Sequence, residues 1–142
     1  MAGMLSVRDV MTRDVKVVRE DTSMQEVIAT MLKFDISSVV VVQKDRPIGL
    51  ITHKDVMENV LDPELLPSAL TARDVMSTGL VTIGEDASLE EAAENMVKKR
   101  LKKLIVVQKG KLVGIITSMD IMREEPKLAN LFEELLRYCP KS

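Results

Sequence analysis

The 142-residue sequence has few aromatic residues and almost no cysteine. It contains no Trp, 2 Phe and 1 Tyr, so aliphatic side chains must fill its core. A single cysteine, Cys139, excludes a disulfide framework within the chain, which is the main mark of a small secreted domain. No apolar run approaches the roughly 20 residues that span a bilayer, and Met1 to Met4 resemble neither a signal peptide nor a basic targeting segment. We therefore expect a cytoplasmic protein with no membrane interaction.

The sequence also lacks the side chains of common catalytic and metal sites. Its only histidine, His53, has no His or Cys close to it in the sequence, so no metal site is expected. No nucleophile stands with a base and an orienting group, so we expect no catalytic residues, no catalytic cofactor and no enzymatic activity. The 20 basic and 22 acidic side chains nearly balance, so global charge does not favour a polyanionic partner.

What the sequence does contain is an internal repeat. Arg8-Asp9-Val10-Met11 recurs 65 positions later at 73–76, and the same offset relates 41–44 to 106–109 without a gap. Each copy is about 60 residues long, a length at which a core alone is marginal because only about 60% of the unfolded surface is buried. We therefore expect two copies of one unit that pack together as one body.

Each copy predicts a β-α-β-β-α unit that opens with a short helical turn. Ser6-x-x-Asp9 and Thr71-x-x-Asp74 are typical of helix N-caps, and Ser23-x-x-Glu26 and Ser88-x-x-Glu91 of capping boxes before a longer amphipathic helix. The continuous Val/Ile runs that follow predict strands buried on both faces. The last helix of each copy is predicted to begin at Thr52 and Thr117. The predicted strands are 15–18, 39–42 and 48–51 in the first copy, and 80–83, 104–107 and 112–116 in the second.

The predicted domain organisation is a first repeat at 4–60, a linker at 61–68, a second repeat at 69–124 and a tail at 125–142. Two prolines mark the linker. The tail places apolar residues at helical spacing, which predicts an amphipathic helix. That helix either packs back on its own module or contacts a second copy or partner, and the sequence leaves both open. Its apolar residues are Leu128, Leu131, Phe132, Leu135 and Leu136.

The two copies share the pattern Gly-x-x-Thr-x-x-Asp, seen as Gly-Leu-Ile-Thr-His-Lys-Asp at 49–55 and Gly-Ile-Ile-Thr-Ser-Met-Asp at 114–120. With the repeat and the order of elements, this pattern resembles tandem CBS domains, a pair known as a Bateman module. The resemblance implies a mixed α/β (α+β) fold of two β-α-β-β-α repeats related by a pseudo-twofold axis, plus a C-terminal helix. It also implies binding of AMP, ADP, ATP or S-adenosylmethionine in clefts between the repeats, and association of two modules.

The Thr-x-x-Asp motif supports two interpretations on physical grounds. A strand that leads into a helix leaves unpaired N–H groups that suit a phosphate, and an acidic side chain in the first turn could accept hydrogen bonds from the two hydroxyls of a ribose. Gly49 and Gly114 would permit a close approach near the strand. The same motif is also a plain N-cap that needs no ligand and is worth about 1 kcal/mol.

The resemblance implies two clefts that each combine parts of both repeats. Backbone near Lys16 or Val81 would contact the adenine edge, and the side chains of Ile36 and Leu101 would pack on its face. The set of the first cleft is Thr12, Lys16, Ile36, Ser37, Ser38, Thr117, Ser118, Met119 and Asp120. The set of the second cleft is Ser77, Val81, Leu101, Lys102, Lys103, Thr52, His53, Lys54 and Asp55.

The two implied clefts differ in charge. The second gathers Lys54, Lys102 and Lys103 and would favour ligands with more phosphate, whereas Lys16 is the only basic group of the first. The basic stretch 98–103 is interpreted as a solvated helix end that contributes to this cleft. It has no interleaved aromatic residues for base stacking, so nucleic acid is not the expected partner.

The sequence thus predicts a stand-alone pair of repeats that senses adenosine-containing nucleotides and regulates through a homodimer or an unidentified protein partner. The alternative is an interaction module that mediates dimerisation or partner binding without a nucleotide. Ligand-dependent stabilisation distinguishes the two hypotheses, because only a protein that binds the ligand is stabilised by it.

Overall fold

The fold is that of a computed structural model, which describes residues 4–138 and their side chains as far as Glu133. Cys139 and the first three residues lie outside this range, and Leu135 and Leu136 lie beyond the last described side chain. The chain divides into two compact units. Unit 2 is Val15–Leu80, and unit 1 combines the segment that ends at Asp14 with the segment that begins at Val81.

Unit 2 is a three-stranded sheet with helices from both sequence repeats. Strand β1 pairs in parallel with β2, which pairs antiparallel with β3, in the order β1-β2-β3. The elements of unit 2 are β1 (Val17–Arg19), α2 (Met24–Lys33), β2 (Ser38–Gln43), β3 (Arg46–Thr52), α3 (His53–Val56) with a π-helical continuation (Met57–Leu61), a 3₁₀ turn (Pro67–Ala69) and α4 (Ala72–Val75).

Unit 1 repeats the same architecture, with strand order β4-β5-β6. Its opening helix α1 comes from the start of the chain, whereas all its strands come from the second repeat. Its elements are α1 (Val7–Val10), β4 (Thr82–Gly84), α5 (Leu89–Lys99), β5 (Lys103–Gln108), β6 (Lys111–Thr117), α6 (Ser118–Glu124), a 3₁₀ turn (Pro126–Leu128) and α7 (Ala129–Tyr138).

The predicted helix starts are confirmed. The Ser23 hydroxyl accepts a hydrogen bond from the Glu26 N–H at 3.2 Å, and Ser88 does the same for Glu91 at 3.0 Å. These bonds satisfy backbone donors in the first helical turn, which otherwise have no partner within the helix. Local sequence therefore determines where the two long helices begin.

The short opening helices are held by aspartate. The Asp9 carboxylate accepts from the Ser6 N–H at 2.9 Å, and the Asp74 carboxylate accepts from the Thr71 N–H at 2.8 Å. These backbone hydrogen bonds, helped by the neighbouring hydroxyl, hold the pKa of each carboxyl below its ordinary value of 3.8. The carboxylate form of each residue therefore stabilises its turn.

The prediction that the Val/Ile runs are buried on both faces is confirmed for the middle strands only. Val39, Val40 and Val41 of β2 are fully buried. In β3 and β6, buried and partly exposed residues alternate, so the prediction is wrong there. Such alternation is typical of a strand with one face packed on the core and the other face more open to solvent, since successive side chains point to opposite faces. The first strands also begin two residues later than predicted.

The predicted tail helix forms, and it packs on its own unit. Phe132 of α7 is fully buried in the core of unit 1, and Leu128 packs against that core. The preceding residue, Leu131, is 38% exposed. For the described side chains, the first of the two alternatives that the sequence left open is therefore confirmed.

Candidate functional site

The Thr52–Asp55 motif of unit 2 forms a closed capping arrangement. The Thr52 N–H donates to Asp55 Oδ2 at 2.8 Å, and the Thr52 hydroxyl accepts from the Asp55 N–H at 3.2 Å. The Thr52 Oγ1 also lies 3.0 Å from Asp55 Oδ2. The N-cap interpretation of this motif is thus confirmed, and it uses one of the two carboxylate oxygens.

The other carboxylate oxygen of Asp55 accepts a hydrogen bond from the hydroxyl of Ser77, which lies 22 positions later in the chain. Ser77 Oγ lies 3.0 Å from Asp55 Oδ1. Backbone pairing holds Ser77 there, since Ser77 and Leu50 exchange N–H···O bonds of 2.9 and 3.0 Å. Ser77, Thr52 and Asp55 all belong to the predicted set of the second cleft, and the structure brings them together. The Asp55 carboxylate is thereby oriented to accept hydrogen bonds from hydroxyl groups.

Unit 1 repeats the capping part of this arrangement. The Thr117 N–H donates to Asp120 Oδ2 at 3.0 Å, and the Asp120 N–H donates to the Thr117 hydroxyl at 3.1 Å. Thr12, the counterpart of Ser77, pairs with Ile115 through N–H···O bonds of 2.8 and 3.0 Å. Asp120 Oδ1 lies 3.8 Å from Arg123 Nη1. A guanidinium therefore neighbours the carboxylate of unit 1.

A methionine packs against the glycine of each Gly-x-x-Thr-x-x-Asp motif. A Cβ on Gly49 would overlap the side chain of Met76. A Cβ on Gly114 would lie 2.6 Å from Met11 Sδ and 2.8 Å from the carbonyl oxygen of Thr12. The close approach expected at these glycines is therefore made by the opening helices. The packing of the two methionines on these glycines was not predicted, although their recurrence at offset 65 was a signal.

The residue before β2 lies next to the start of α3, and the residue before β5 lies next to the start of α6. The His53 N–H donates to the Ser37 carbonyl at 3.2 Å, and the Ser118 N–H donates to the Lys102 carbonyl at 2.9 Å. The side chains of Ile36 and Leu101 pack against the cores of unit 2 and unit 1 respectively. Both apolar residues are only partly buried.

Each predicted set is shared between the two units. From the first set, unit 1 holds Thr12 and 117–120, and unit 2 holds Lys16 and 36–38. From the second set, unit 2 holds 52–55 and Ser77, and unit 1 holds Val81 and 101–103. In unit 2 the structure brings Ser77, Thr52 and Asp55 together. In unit 1 it joins Thr117 to Asp120 and pairs the backbone of Thr12 with Ile115.

The lysine side chains of the two predicted cleft sets differ in their surroundings. Lys54 Nζ lies 3.7 Å from Glu58 Oε1 on the exposed face of the helix. Burial lowers the pKa of Lys103 below its ordinary value of 10.5. Lys16 Nζ lies 4.3 Å from the centroid of the Phe34 ring, within the range of a cation–π contact. The contact of Lys16 with Phe34, one of only two phenylalanines, was not predicted from the sequence.

A cavity, a possible metal site and a possible membrane-spanning helix are three further features that can indicate function. Unit 2 has a cavity of about 380 Å³ lined by residues 19–21 and 42–45, which contain none of the predicted site residues. Among residues 4–138, no group of three or more His, Cys, Asp or Glu side chains is arranged to hold a metal ion. In the same range, no helix combines the length and the apolar character that crossing a membrane requires.

Comparison with known proteins identifies a repeated domain. The CBS domain family matches residues 7–62 and again residues 72–127. Protein MK0525 of Methanopyrus kandleri, which is uncharacterised, is 38% identical over 135 residues, covering 94% of this chain and 69% of that protein. The inosine-5'-monophosphate dehydrogenase of Methanocaldococcus jannaschii is 35% identical over 117 residues, covering 81% of this chain but only 22% of the enzyme.

Among solved structures, the CBS domain pair of protein MJ0100 has the same fold. The two chains superpose with a TM-score of 0.73 at 24% identity, and the match covers 84% of this chain and 94% of the other. That protein was solved in complex with 5'-methylthioadenosine and S-adenosyl-L-methionine. The predicted fold of two such repeats, each with a three-stranded sheet, and a C-terminal helix is confirmed.

Proposed function

This chain belongs to the CBS-domain family, and we propose that it is a regulatory module that binds an adenosine-containing ligand. The observation that carries the proposal is the arrangement of Ser77, Thr52 and Asp55 in unit 2, which the capping bonds of Thr117 and Asp120 repeat in part in unit 1. The adenosine-derived ligands of the MJ0100 domain pair support the choice of ligand class. AMP, ADP, ATP and S-adenosylmethionine are the candidates.

In this proposal the aspartates bind the ribose. Asp55 already accepts a hydroxyl hydrogen bond from Ser77 on Oδ1, and a ribose hydroxyl would make the same kind of bond there. The threonines keep each carboxylate in place through the capping bonds, so little side-chain freedom is lost on binding. The other members of the two predicted sets would contact the base and the phosphates.

The output of the module would be a change in its association with a second copy or with a partner. A ligand can shift a conformational equilibrium only by its difference in affinity for the two states. Ligand binding and association are then coupled reciprocally, so each must alter the affinity of the other by the same factor. We propose this coupling, in place of catalysis, as the function of the chain.

Thermal unfolding tests the proposal directly. AMP, ADP, ATP, S-adenosylmethionine and 5'-methylthioadenosine are each added at increasing concentration, with guanosine as the matched nucleoside control. A ligand at about 100 times its Kd stabilises the folded state by about 2.7 kcal/mol, which raises the melting temperature by several degrees. A concentration-dependent rise with an adenosine compound supports the sensor. No rise with any of the five compounds would contradict it.

A second candidate function is an interaction module that binds no nucleotide. The closed capping bonds at Thr52 and Thr117 favour it, because they satisfy the motif residues without a ligand. Such a module would show association with a second copy or a partner that is independent of all five compounds.

A further inference from the structure

The motif helices of the two units carry opposite charges at equivalent positions. In unit 1, Arg123 of α6 follows Asp120 by three residues. In unit 2, Glu58 follows Asp55 by three residues, in the π-helical continuation of α3. The offset of 65 that relates the two repeats also relates these two positions. The repeat thus keeps the aspartate and reverses the charge of the residue about one helical turn after it.

In unit 1 the positive charge lies beside the oxygen that the capping bond does not use. The Thr117 N–H donates to Asp120 Oδ2 at 3.0 Å, whereas Arg123 Nη1 lies 3.8 Å from Asp120 Oδ1. The Arg123 side chain is 69% exposed, so it can turn toward a bound molecule, whereas the Asp120 side chain is only 18% exposed. A ribose hydroxyl on Oδ1 would therefore bind next to the guanidinium.

In unit 2 the charges at the corresponding positions cancel. The Ser77 hydroxyl, which is neutral, lies 3.0 Å from Asp55 Oδ1. Lys54 Nζ lies 3.7 Å from Glu58 Oε1, so this lysine is paired with the glutamate. The counterpart of Lys54 in unit 1 is the uncharged Met119. Positions 54 and 58 together are therefore neutral, whereas positions 119 and 123 together carry one positive charge.

This difference acts on the charge of the ligand. A carboxylate that binds a ribose also repels a phosphate carried by the same nucleoside. At Asp120 the guanidinium of Arg123 offsets this repulsion, whereas at Asp55 the Ser77 hydroxyl brings no charge and cannot offset it. One favourable charge pair at a partly exposed site should change the affinity about tenfold. The two sites should therefore rank charged and uncharged adenosine compounds differently.

We propose that Arg123 makes the site at Asp120 select adenosine compounds with a negatively charged 5' substituent. The site at Asp55, which has Glu58 at the equivalent position, favours uncharged or cationic ones. The inference rests on the proposed function, because it takes both aspartates as the residues that bind the ribose. AMP, ADP and ATP belong to the first class of ligand, and 5'-methylthioadenosine and S-adenosylmethionine belong to the second.

This order of preference differs from the one that the lysines of the second predicted set suggest. Of these lysines, only Lys54 lies in unit 2 with Asp55, and Glu58 pairs with it. The other two lysines of that set lie in unit 1, as Arg123 does. The lysine count spans both repeats, whereas the pairs seen within each unit favour phosphate at the other aspartate.

Calorimetric titration with AMP and 5'-methylthioadenosine tests the inference, because the two compounds share the adenosine skeleton and differ in the charge of the 5' substituent. Asp55→Asn confines ribose binding to Asp120, and Asp120→Asn confines it to Asp55. The quantity compared is the ratio of the AMP affinity to the 5'-methylthioadenosine affinity. We expect this ratio to be at least about tenfold higher in the Asp55→Asn chain. A higher salt concentration should reduce the difference, because salt screens exposed charges.

Exchange of the charges at the two positions shows whether Arg123 is the cause. Arg123→Glu in the Asp55→Asn chain should lower the ratio at least about tenfold, and Arg123→Lys should keep most of it, because the charge remains. Glu58→Arg in the Asp120→Asn chain should raise the ratio by a similar factor. The matched control is Lys111→Glu, the same change of charge at an exposed residue at the far end of β6, which should leave the ratio as it was. Circular dichroism checks that each variant is folded.

Three results would overturn the inference, and two of them leave the proposed function standing. One is an equal ratio of affinities at the two sites. Another is a ratio that Arg123→Glu does not lower, or that Lys111→Glu lowers as much. In both cases adenosine compounds still bind. The third is a wild-type chain that binds neither AMP nor 5'-methylthioadenosine, which would overturn the proposed function together with the inference.

Discussion

A Cβ placed on Gly114 would lie 2.8 Å from the carbonyl oxygen of Thr12. Two chain segments 102 positions apart thus touch at a point where only glycine fits. Thr12 is held there by its backbone bonds to Ile115, two residues before the capping Thr117. The glycine of the motif therefore acts on the site indirectly, because it lets an opening segment approach the strand that leads to the aspartate.

Replacement of Gly114 by alanine is expected to destabilise unit 1 by about 1–3 kcal/mol, as overpacking of a closely packed site does. The obstacle is a backbone carbonyl that cannot rotate away. Urea denaturation measures the loss. The matched change Gly49→Ala should cost less, because its neighbour within 3 Å is the flexible side chain of Met76.

A double-mutant cycle separates the two cases. Truncation of Met76 to alanine should remove most of the cost of Gly49→Ala, since the clash is with that side chain. Truncation of Met11 to alanine should remove only part of the stability cost of Gly114→Ala, because the Thr12 carbonyl remains. Equal relief in both cycles would contradict this account of the contacts.

The buried aromatic of the tail provides a second prediction. Phe132→Ala is expected to cost about 3–5 kcal/mol, because it leaves a cavity in the core of unit 1. Chemical denaturation measures this loss, and Leu131→Ala, a truncation of the partly exposed neighbour, should cost less. A similar cost for both would indicate that α7 does not pack as described.

The opening helices provide a prediction about pH. The carboxyls of Asp9 and Asp74 have a folded-state pKa below the ordinary 3.8, so each stabilises the fold above that pH. The contribution is lost as the pH falls through the lowered folded-state pKa. Asp74→Asn should therefore be less stable than the wild type at neutral pH, and the difference should shrink below about pH 4. Urea denaturation midpoints at several pH values measure this difference in stability. A difference that does not change with pH would contradict a stabilising role of the Asp74 carboxylate.

Much of this structure could be predicted from local sequence. Ser23, Ser88, Thr52 and Thr117 cap their helices because a hydroxyl three residues before a backbone donor is sufficient for the bond. The Val-rich run 39–42 could likewise be recognised as a strand, since few other elements bury three consecutive valines.

Local sequence does not predict the exchange of the opening helices, which only the family resemblance implied, by grouping Thr12 with Asp120 and Ser77 with Asp55. Met11 packs on Gly114 and Met76 packs on Gly49, each in the unit formed by the other repeat. Both repeats carry the same methionine and the same glycine, so the sequence supplies equal contacts for either pairing. The different partners of the two aspartates were not predicted, because the Ser77–Asp55 hydrogen bond and the Arg123–Asp120 ion pair both depend on side-chain geometry.

The most direct test of the central claim is calorimetric titration of an adenosine-containing ligand into four variants. Asp55→Asn and Asp120→Asn each remove a proposed ribose carboxylate. Asp74→Asn and Asp9→Asn are the matched controls, since these residues make the same capping bond outside the predicted sets. We expect each of the first two variants to weaken one binding event at least about tenfold, as loss of a hydrogen bond to a charged group does. The controls should bind as the wild type does. Equal binding by all four variants, or equal loss in all four, would contradict the assignment of Asp55 and Asp120 as ligand-binding residues.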